Sequence, residues 1–303
     1  MLLSYLSSAP PDSGGRALSE WAVTAAGTVG FDDLTTPAGR ASRVPGGSAL
    51  YFTLAASPYC QVRPVVALGE DGDLLAELLQ QPGVDPSGLA RRPGASYRWQ
   101  AVHAAAEAVP LQEEQNFGVY TGWRPLVPPA AQGSQLLFLG SMLPLAQLQV
   151  LGQCRRAELI GLDTMRDFIA SDLDRVAQLL GATDVLFANR AELEQLWPHP
   201  GGAERAASEL LGRGRLRAVV LKLGEGGAVL LTRSGTRHLP ADPVERVVDP
   251  TGAGDSLAGG MMGRLAQLRR VDDEALELAL PAGLAAAARA ISAFGVRGLL
   301  ERP

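Results

Sequence analysis

The feature that most constrains the fold of this 303-residue chain is a repeated alternation of short apolar runs with amphipathic segments. The apolar runs have the length of strands and are VRPVVALG, QLLFLG, ELIGLD, DVLFAN, RAVVLKLG and AVLLT. The helical patterns that lie between most of them are SALYFTLAAS, DLLAELLQQ, PLAQLQVLGQCRRA, DLDRVAQLLG, RAELEQLW and AERAASELLGRG. Buried strands that alternate with amphipathic helices are typical of a parallel sheet covered on both faces. The sequence therefore predicts an α/β protein with a mostly parallel central sheet flanked by helices.

One segment, residues 90–129, departs from this alternation. It has no long helical period, and it contains short alternating pieces such as SYRWQAVH separated by turn residues. A structureless connection of this length is uncommon inside a compact domain. We therefore predict a small β lid over a cleft, inserted at residues 90–129 into one domain that spans residues 20–303. Residues 1–19 are predicted to be a flexible leader.

Composition and charge exclude several classes of partner. The net charge of −5 argues against nucleic acid and against an anionic membrane surface, since both reward a basic face. No apolar run approaches the roughly 20 residues of a membrane span, and the first residues lack the basic region of a secretory signal. We expect a cytoplasmic protein that binds no nucleic acid or membrane. Cys60 and Cys154 are expected to be free buried thiols.

The small number of lysines and histidines argues against several kinds of catalytic and metal site. Lys222 is the only lysine, and it lacks the upstream glycine pair of a P-loop, so Walker-type NTPases are excluded. It is also a poor candidate for Schiff-base chemistry, because it ends a strand rather than lying in an evident pocket. His103, His199 and His238 share no metal-ligand spacing with the cysteines and are expected to be ordinary surface or lid residues. No G-x-S-x-G motif is present, which argues against a serine hydrolase.

The stretch VVDPTGAGDSLAGG, residues 247–260, carries the strongest chemical signal. Gly252 and Gly254 flank Ala253, and a helix-competent run follows at once, so the free N–H groups of a helix start can form an anion hole. Asp255 in the first turn is expected to stay ionised beside the helix dipole and to accept a proton. An anion hole beside a base suits phosphoryl transfer to a hydroxyl group. The alternative is that the glycines only shape a tight turn and Asp255 is a helix N-cap.

Two further motifs fit the same chemistry when taken together. Asn189 ends an apolar strand and Glu192 lies one turn into the next helix, where hard oxygen ligands suit Mg²⁺ held largely through water. On their own these two residues form an ordinary helix cap. Gly224, Gly226 and Gly227 form a turn between two strands that lets a base or a phosphate approach the backbone, although alone it reads as a hairpin turn.

These motifs, in this order, resemble those of the PfkB family, the ribokinase-like carbohydrate and nucleoside kinases. The resemblance runs from about Trp21 to the C-terminus, and six of the seven residues at positions 249–255 fit the family signature D-T-x-G-A-G-D. Asn189 and Glu192 match its N-x-x-E motif, and Gly46 and Gly47 match its Gly-Gly motif. The resemblance implies a ribokinase-like fold with a small β lid. It also implies a kinase that uses ATP and Mg²⁺, with K⁺ in some members.

The resemblance also implies a role for each site residue. Asp255 would be the catalytic base, and the backbone of Gly252, Ala253 and Gly254 would hold the transferring γ-phosphoryl group. The acceptor would bind at Asp32, Gly46, Gly47 and Tyr51. The residues implied for ATP are Asn189, Lys222, Gly224, Gly227, Thr251, Ala282 and Gly283. Asn189 and Glu192 would serve Mg²⁺, and Asp249 would lie where some members bind a monovalent cation.

Three departures from the family pattern keep alternatives open. Tyr51 stands where Asn often contacts the sugar, Pro250 replaces the Thr of the signature, and Lys222 stands where Thr is common. The acceptor is therefore predicted only as a small sugar, a sugar-like polyol or a nucleoside. A catalytically idle nucleotide or sugar sensor is the alternative, whereas Asp255 among the glycines disfavours a dinucleotide-dependent oxidoreductase. The edges of a β lid also offer a surface for a homodimer.

Overall fold

The computed structural model describes residues 21–104 and 110–301, so the predicted leader at residues 1–19 lies outside the described part. The strands are β1 Ala22–Ala26, β2 Gly30–Thr36, β3 Gly39–Gly46, β4 Gln61–Leu68, β5 Leu89–Arg91, β6 Tyr97–Val102, β7 Gln112–Asn116, β8 Leu136–Leu139, β9 Leu159–Asp163, β10 Val185–Asn189, β11 Ala218–Lys222, β12 Ala228–Thr232 and β13 Thr236–Leu239. The helices are α1 Ser48–Ala56, α2 Asp73–Leu78, α3 Pro129–Gln132, α4 Pro144–Gln153, α5 Arg166–Ser171, α6 Leu173–Gly181, α7 Arg190–Leu196, α8 Ala203–Leu210, α9 Ala253–Leu268, α10 Asp273–Ala290 and α11 Arg297–Leu300.

A nine-stranded sheet forms the centre of the molecule, in the order β13-β12-β11-β10-β9-β8-β1-β4-β5. Its strands run parallel except for β12 and β13, which add antiparallel at one edge. The α/β prediction with a mostly parallel sheet is confirmed. The strands β8 to β11 carry their site residues at their carboxyl ends, the edge at which open α/β sheets bind ligands.

Alternate residues of each central strand enter two different cores. In β8, Leu136 and Phe138 pack with α1, α9 and α10, whereas Leu137 and Leu139 pack with α4, α7 and α8. All four side chains are fully buried. Because both faces of the sheet are covered, the strands read as continuous apolar runs in the sequence rather than as alternating ones.

Small residues allow α9 to lie very close to both of its neighbouring helices. A Cβ on Gly259 would lie 2.4 Å from the carbonyl oxygen of Phe52 in α1, and one on Gly260 would lie 2.4 Å from that of Ala282 in α10. The run SLAGGMMG is therefore a packing surface. The close packing fixes where α9 begins, and thus where Asp255 lies.

A second, smaller sheet has the strand order β3-β2-β6-β7. Only β6 and β7 come from the segment 90–129, whereas β2 and β3 come from residues 30–46, which sequence analysis did not predict as strands. β5 instead pairs with β4 in the large sheet, and Tyr120 and Trp123 are buried in the main core. β3 is mostly exposed and polar, so it lacks the apolar signal on which strand prediction depends.

The predicted environments of the cysteines were correct, whereas one of those expected for a histidine was not. Cys60 and Cys154 are free and buried, as predicted. His103 is buried with 3 % exposure directly after β6 of the small sheet, and its ring packs edge-on to Trp99 at a centroid distance of 6.3 Å, so of the two expected positions, surface or lid, the surface was wrong. Within residues 21–104 and 110–301, no helix has both the length and the apolar character to cross a bilayer.

Candidate active site

A cavity of about 770 Å³ lies at the carboxyl ends of β9, β10 and β11. It is bounded by the ends of these strands, by the small sheet and by the start of α9. The residues predicted from the sequence that line it are Asp32, Gly47, Tyr51, Asn189, Glu192, Lys222, Gly224, Gly227, Thr251, Gly252, Ala253, Gly254 and Asp255. A volume of this size is in the usual range for small-molecule sites, and it is the natural place for two ligands to meet.

The start of α9 presents free backbone donors to this cavity. Gly252 is the N-cap in a left-handed conformation with φ +73°, and Asp255 is the third residue of the helix. Asp255 is therefore not the N-cap, so that alternative was wrong. The N–H of Ala253 makes a long hydrogen bond of 3.4 Å to the carbonyl of Pro250. The first N–H groups of a helix have no intrahelical acceptor, so the turn can receive an anion.

The ionisation of Asp255 differs from the sequence-based expectation. Burial, followed by the nearby negative charge of Asp163, raises the pKa of Asp255 to about 8, while Lys222 opposes the shift. Burial and like charge thus outweigh the helix dipole, whose effect is typically about 1 kcal/mol or less. The expectation that Asp255 stays ionised was wrong for the unliganded protein. A carboxyl group with a pKa near neutral is well matched to accepting a proton in a reaction.

This shift leads to a prediction about stability. Folding raises the pKa of Asp255 from 3.8, so the folded protein loses stability as pH rises from about 4 through about 8. Asn carries no such charge. We expect the Tm of Asp255→Asn to match the wild type near pH 4 and to exceed it by a few degrees at pH 8.5, in thermal unfolding followed by circular dichroism. A difference in Tm between variant and wild type that does not grow with pH would contradict the raised pKa of Asp255. The matched control is Asp174→Asn in the exposed first turn of α6.

Lys222 lies within a cluster of acids at the ends of three neighbouring strands. Its Nζ is 2.9 Å from Oδ2 and 3.1 Å from Oδ1 of Asp163, and 3.8 Å from Oε2 of Glu192. The lysine side chain is only 15 % exposed and lines the cavity, so the expectation that it lies outside a pocket was wrong. Sequence reasoning missed this because β9 and β11 become neighbours of β10 only in the sheet.

Asn189 and Glu192 form a complete capping box at the start of α7. The side chain of Asn189 accepts the N–H of Glu192 at 2.9 Å, and Oε2 of Glu192 accepts the N–H of Asn189 at 2.8 Å. The helix-cap interpretation is therefore correct, and both residues also line the cavity. Burial and Asp163 raise the pKa of Glu192 to about 7, with Lys222 opposing.

The oxygen donors of this corner fit Mg²⁺ held through water. In the described part of the chain, no three Asp, Glu, His or Cys side chains converge as a ligand set. Glu192 and Asn189 nevertheless line the cavity beside Asp163, and Oε1 of Glu192 is not used by the capping box. Mg²⁺ in phosphate-binding sites typically keeps several waters and uses few protein ligands, so this donor set suits it.

Asp32 is the most exceptional polar group of the site. It is 1 % exposed, and neither of its carboxylate oxygens has a hydrogen-bond partner. Burial and the charges of Asp249, Asp255 and Asp33 raise its pKa well above the usual value. A buried group left without partners is rare in a stable protein, so a ligand that supplies hydroxyl donors is the natural explanation.

The Gly-Gly pair holds the chain close to Asp32. A Cβ on Gly46 would lie 1.9 Å from Oδ2 of Asp32, so a side chain there would displace the carboxylate. Gly47 has φ +95°, and a Cβ on it would lie 2.6 Å from the carbonyl oxygen of Thr28. Gly47 lines the cavity but Gly46 does not, so Gly46 acts on the site through Asp32.

Tyr51 has a structural role that its sequence position did not reveal. Its ring lies under Gly252, where a Cβ would come within 2.4 Å of the ring carbons. Tyr51 is 1 % exposed, and its hydroxyl has no partner. The tyrosine therefore supports the start of α9 and leaves one polar group beside the cavity.

Asp249 braces the loop that precedes α9. Its Oδ1 accepts the N–H of Thr251 at 3.0 Å, and its Oδ2 accepts the N–H of Gly295 at 3.1 Å. It is fully buried and does not line the cavity. These bonds account for the carboxylate, and a monovalent cation at Asp249 stays a prediction.

Only some of the residues predicted to bind the nucleotide lie together at the cavity. Gly224, Gly227 and Thr251 line the cavity, whereas Ala282 and Gly283 do not. Ala282 packs against Gly260, and a Cβ on Gly283 would lie 2.6 Å from the carbonyl of Leu257, so both are contacts between α10 and α9. The cavity wall is formed instead by the next residue, Leu284, by Ala287, Ala288 and Ile291 one to two turns further along, and by the segment 241–247.

Sequence analysis also missed cavity residues that carry no motif. These are Thr28, Ser48, Tyr97, Trp99, Ser141, Thr164 and Met165. Trp99 pairs directly with Asp32 across β2 and β6, so the two side chains share one face of the small sheet. The only available signal was the alternation in SYRWQAVH, which marks a strand but not its partner.

Comparisons with known proteins agree with this geometry. Residues 18–302 match the model of the pfkB family of carbohydrate kinases. The cytidine kinase of Thermococcus kodakarensis is 27 % identical over 256 residues, which cover 82 % of this chain and 89 % of that protein.

Solved structures show the same fold. Aminoimidazole riboside kinase from Salmonella enterica, complexed with aminoimidazole riboside and an ATP analogue, has a TM-score of 0.73 at 22 % identity, over 93 % of this chain and 97 % of the other. The Burkholderia thailandensis nucleoside kinase in complex with ADP-inosine has a TM-score of 0.74 at 19 % identity, over 92 % of each chain. The ribokinase-like fold predicted from the resemblance is confirmed. Because the family model spans nearly the whole sequence, the chain belongs to the pfkB family of carbohydrate kinases and is a phosphotransferase that acts on an alcohol group.

Proposed function

We propose that the protein transfers the γ-phosphoryl group of ATP, with Mg²⁺, to a hydroxymethyl group of a small sugar, a sugar-like polyol or a nucleoside. One observation carries the proposal: Asp255, at the start of α9, lines the same cavity as the buried carboxylate of Asp32 and the Lys222 cluster. A base, a site for hydroxyl groups and a site for phosphate are the parts that such a transfer needs.

The acceptor end of the cavity is the end at Asp32. Its two partnerless oxygens can accept two hydroxyl protons, which suits a vicinal diol. Trp99 and Tyr97 line the same region with aromatic surface, and the hydroxyl of Tyr51 lies nearby without a partner. Similar proteins that act on or bind ribosides, such as cytidine kinase and aminoimidazole riboside kinase, support a sugar or nucleoside acceptor.

The nucleotide end is the end at Gly224 and Gly227. The apolar wall of Leu284, Ala287 and Ile291 suits a flat base, and the glycine turn allows close approach of the backbone. Asn189 and Glu192 would hold Mg²⁺ through water. When bound, Mg²⁺ supplies positive charge that offsets the charge of the phosphates.

In the transfer itself, the acceptor oxygen forms a bond to the γ-phosphorus while the bond from that phosphorus to the β–γ bridging oxygen breaks. Asp255, in its ionised form, takes the proton of the acceptor hydroxyl, and the leaving oxygen carries the electron pair away as ADP. The backbone N–H groups of residues 252–254, with that of Ala253 released from its long bond to Pro250, would stabilise the negative charge on the transferring group. Closure of the small sheet over the acceptor would exclude water, which competes as an acceptor.

A coupled ADP-release screen tests this proposal. Purified protein, ATP and Mg²⁺ are assayed with a panel of sugars, polyols and nucleosides, each with and without K⁺, and without acceptor as the control. We expect ADP release above the control with at least one acceptor, and loss of that release when Mg²⁺ is chelated. ATP binding without acceptor-dependent ADP release across the whole panel would overturn the proposal in favour of the idle sensor.

A further inference from the structure

We infer that Lys222, the only lysine of the chain, contacts the γ-phosphoryl group during transfer and is a catalytic residue. The inference deepens the proposed function and rests on it. It assigns Lys222 a direct part in the reaction, beyond a place in the wall of the nucleotide site.

The position of the ammonium group is the first support. A Cβ on Gly254 would lie 2.9 Å from Nζ of Lys222 and 3.2 Å from its Cδ. The lysine side chain therefore lies directly against the first turn of α9, and Lys222, Gly254 and Asp255 all line the cavity. The backbone N–H groups at the start of α9 and the ammonium group of Lys222 thus face the same small volume. A phosphoryl group in this volume would accept hydrogen bonds from both.

The charge balance of the cavity is the second support. Among the cavity-lining residues that the structure describes, the cations are Lys222 and Arg246, and Arg246 is exposed. Lys222 is surrounded by three acids, Asp163, Glu192 and Asp255. If Lys222 served only as the ion-pair partner of Asp163, the other two acids would not be needed beside it. The hydrogen bond from Nζ of Lys222 to Oδ2 of Asp163, at 2.9 Å, keeps the ammonium in place until a phosphate competes for it.

The choice of lysine is the third support. The chain uses arginine at 26 of its 27 basic positions and lysine only here. A guanidinium is a rigid planar fork, whereas an ammonium is a compact charge with three donors on a flexible stem. Such a group can keep a hydrogen bond to Asp163 while it turns another N–H toward a phosphate oxygen. An arginine in the same narrow space against Gly254 would have less freedom to do so.

Lys222 acts by charge and does not exchange its proton. Burial would lower its pKa, but the charges of Asp163 and Glu192 raise it above its usual value, so it stays protonated. The proton of the acceptor goes to Asp255, and the bonds that form and break are those of the phosphoryl transfer. Lys222 keeps its three protons throughout and stabilises the negative charge on the transferring oxygens.

The test compares binding of a nucleotide with and without the γ-phosphate. Calorimetric titration with Mg²⁺ and either ADP or a non-hydrolysable ATP analogue is run on the wild type and on Lys222→Met. We expect the analogue to bind about 10- to 100-fold more weakly to the variant, because a charge-assisted hydrogen bond is lost. ADP should bind within about twofold of the wild type, and kcat should fall by roughly 10²- to 10³-fold, as for loss of one transition-state donor.

Two further variants separate this role from a structural one. Asp163→Asn breaks the same ion pair but keeps the ammonium, so it should retain the preference for the ATP analogue over ADP. The double variant Lys222→Met with Asp163→Asn removes both charges and restores the charge balance of the pair, so no unpaired carboxylate is left at Asp163. We expect it to fold and still to lack the preference.

The outcomes are distinct. Recovery of the preference and of kcat in the double variant, or an equal loss of ADP and analogue affinity in Lys222→Met, would show that Lys222 only neutralises Asp163 and would overturn the inference. The proposed function fails separately, if the wild type binds neither nucleotide or releases no ADP with any acceptor.

Discussion

Replacing Asp255 by Asn is expected to lower kcat by about 10³-fold, in the range typical for loss of a positioned base. Asn has the size of a protonated Asp but cannot take the acceptor proton. Asp255 is the third residue of α9, and its side chain accepts a hydrogen bond from its own backbone N–H, which the amide oxygen of Asn can also accept, so the fold should persist. The KM values for ATP and acceptor should change by no more than about threefold, because binding does not require the proton transfer. The measurement is ADP release with the best acceptor from the screen.

The control for this prediction is Asp174→Asn, which makes the same chemical change in the first turn of α6, outside the cavity. It should leave kcat unchanged. Because burial raises the pKa of Asp255 and Asn never carries the buried charge, the Tm of Asp255→Asn should not fall below that of the wild type, and a loss of activity cannot then be assigned to unfolding. A variant that keeps more than about a tenth of the wild-type kcat would rule out Asp255 as the base.

Replacing Asp32 by Asn is expected to raise the KM for the acceptor by roughly 10²-fold, with a smaller effect on kcat. The carboxylate can accept two charge-assisted hydrogen bonds from hydroxyl groups, whereas Asn can accept only a neutral one through its amide oxygen, because its amide nitrogen does not accept. Each charge-assisted bond contributes about 1.5 to 3 kcal/mol. The KM for ATP should stay within about twofold, because Asp32 lies in the small sheet and the glycine turn of the nucleotide end lies beyond β11. Initial rates with one substrate varied at saturating levels of the other measure both constants.

The adjacent residue provides the matched control. Asp33 lies on the opposite face of β2, where its Oδ1 accepts the N–H of Arg43 at 2.9 Å. Asp33→Asn should therefore leave the acceptor KM close to the wild-type value. If Asp32→Asn and Asp33→Asn shift that KM equally, or if Asp32→Asn acts on ATP instead, the assignment of Asp32 to the acceptor is wrong.

The sequence by itself determined the fold class and the alternation of strands and helices in the large sheet. Continuous apolar runs such as QLLFLG and DVLFAN can only be buried on both faces, and the helical patterns between them require parallel pairing. It also predicted a helix directly after the glycine turn at residues 252–254, because a glycine turn followed by a helix-competent run is a local signal, and the structure places the helix start at Gly252. The strands β2 and β3 escaped notice because their sequences, GFDDLTT and GRASRVPG, contain few apolar residues and because β2 is stabilised by pairing with both β3 and β6.

Only the tertiary structure decided how the acids of the site behave. Asp163 and Lys222 are 59 residues apart in the chain, and their contact depends on the order of β9, β10 and β11 in the sheet. Burial, followed by the negative charge of Asp163, raises the pKa of Asp255 in opposition to the helix dipole, while Lys222 opposes the shift. The same applies to Ala282 and Gly283, which the family resemblance implied for the nucleotide site and which helix packing turns toward α9. Local sequence patterns specify individual helices and strands. The pKa values of buried acids and the directions in which side chains point depend on distances between these elements, which a local pattern does not contain.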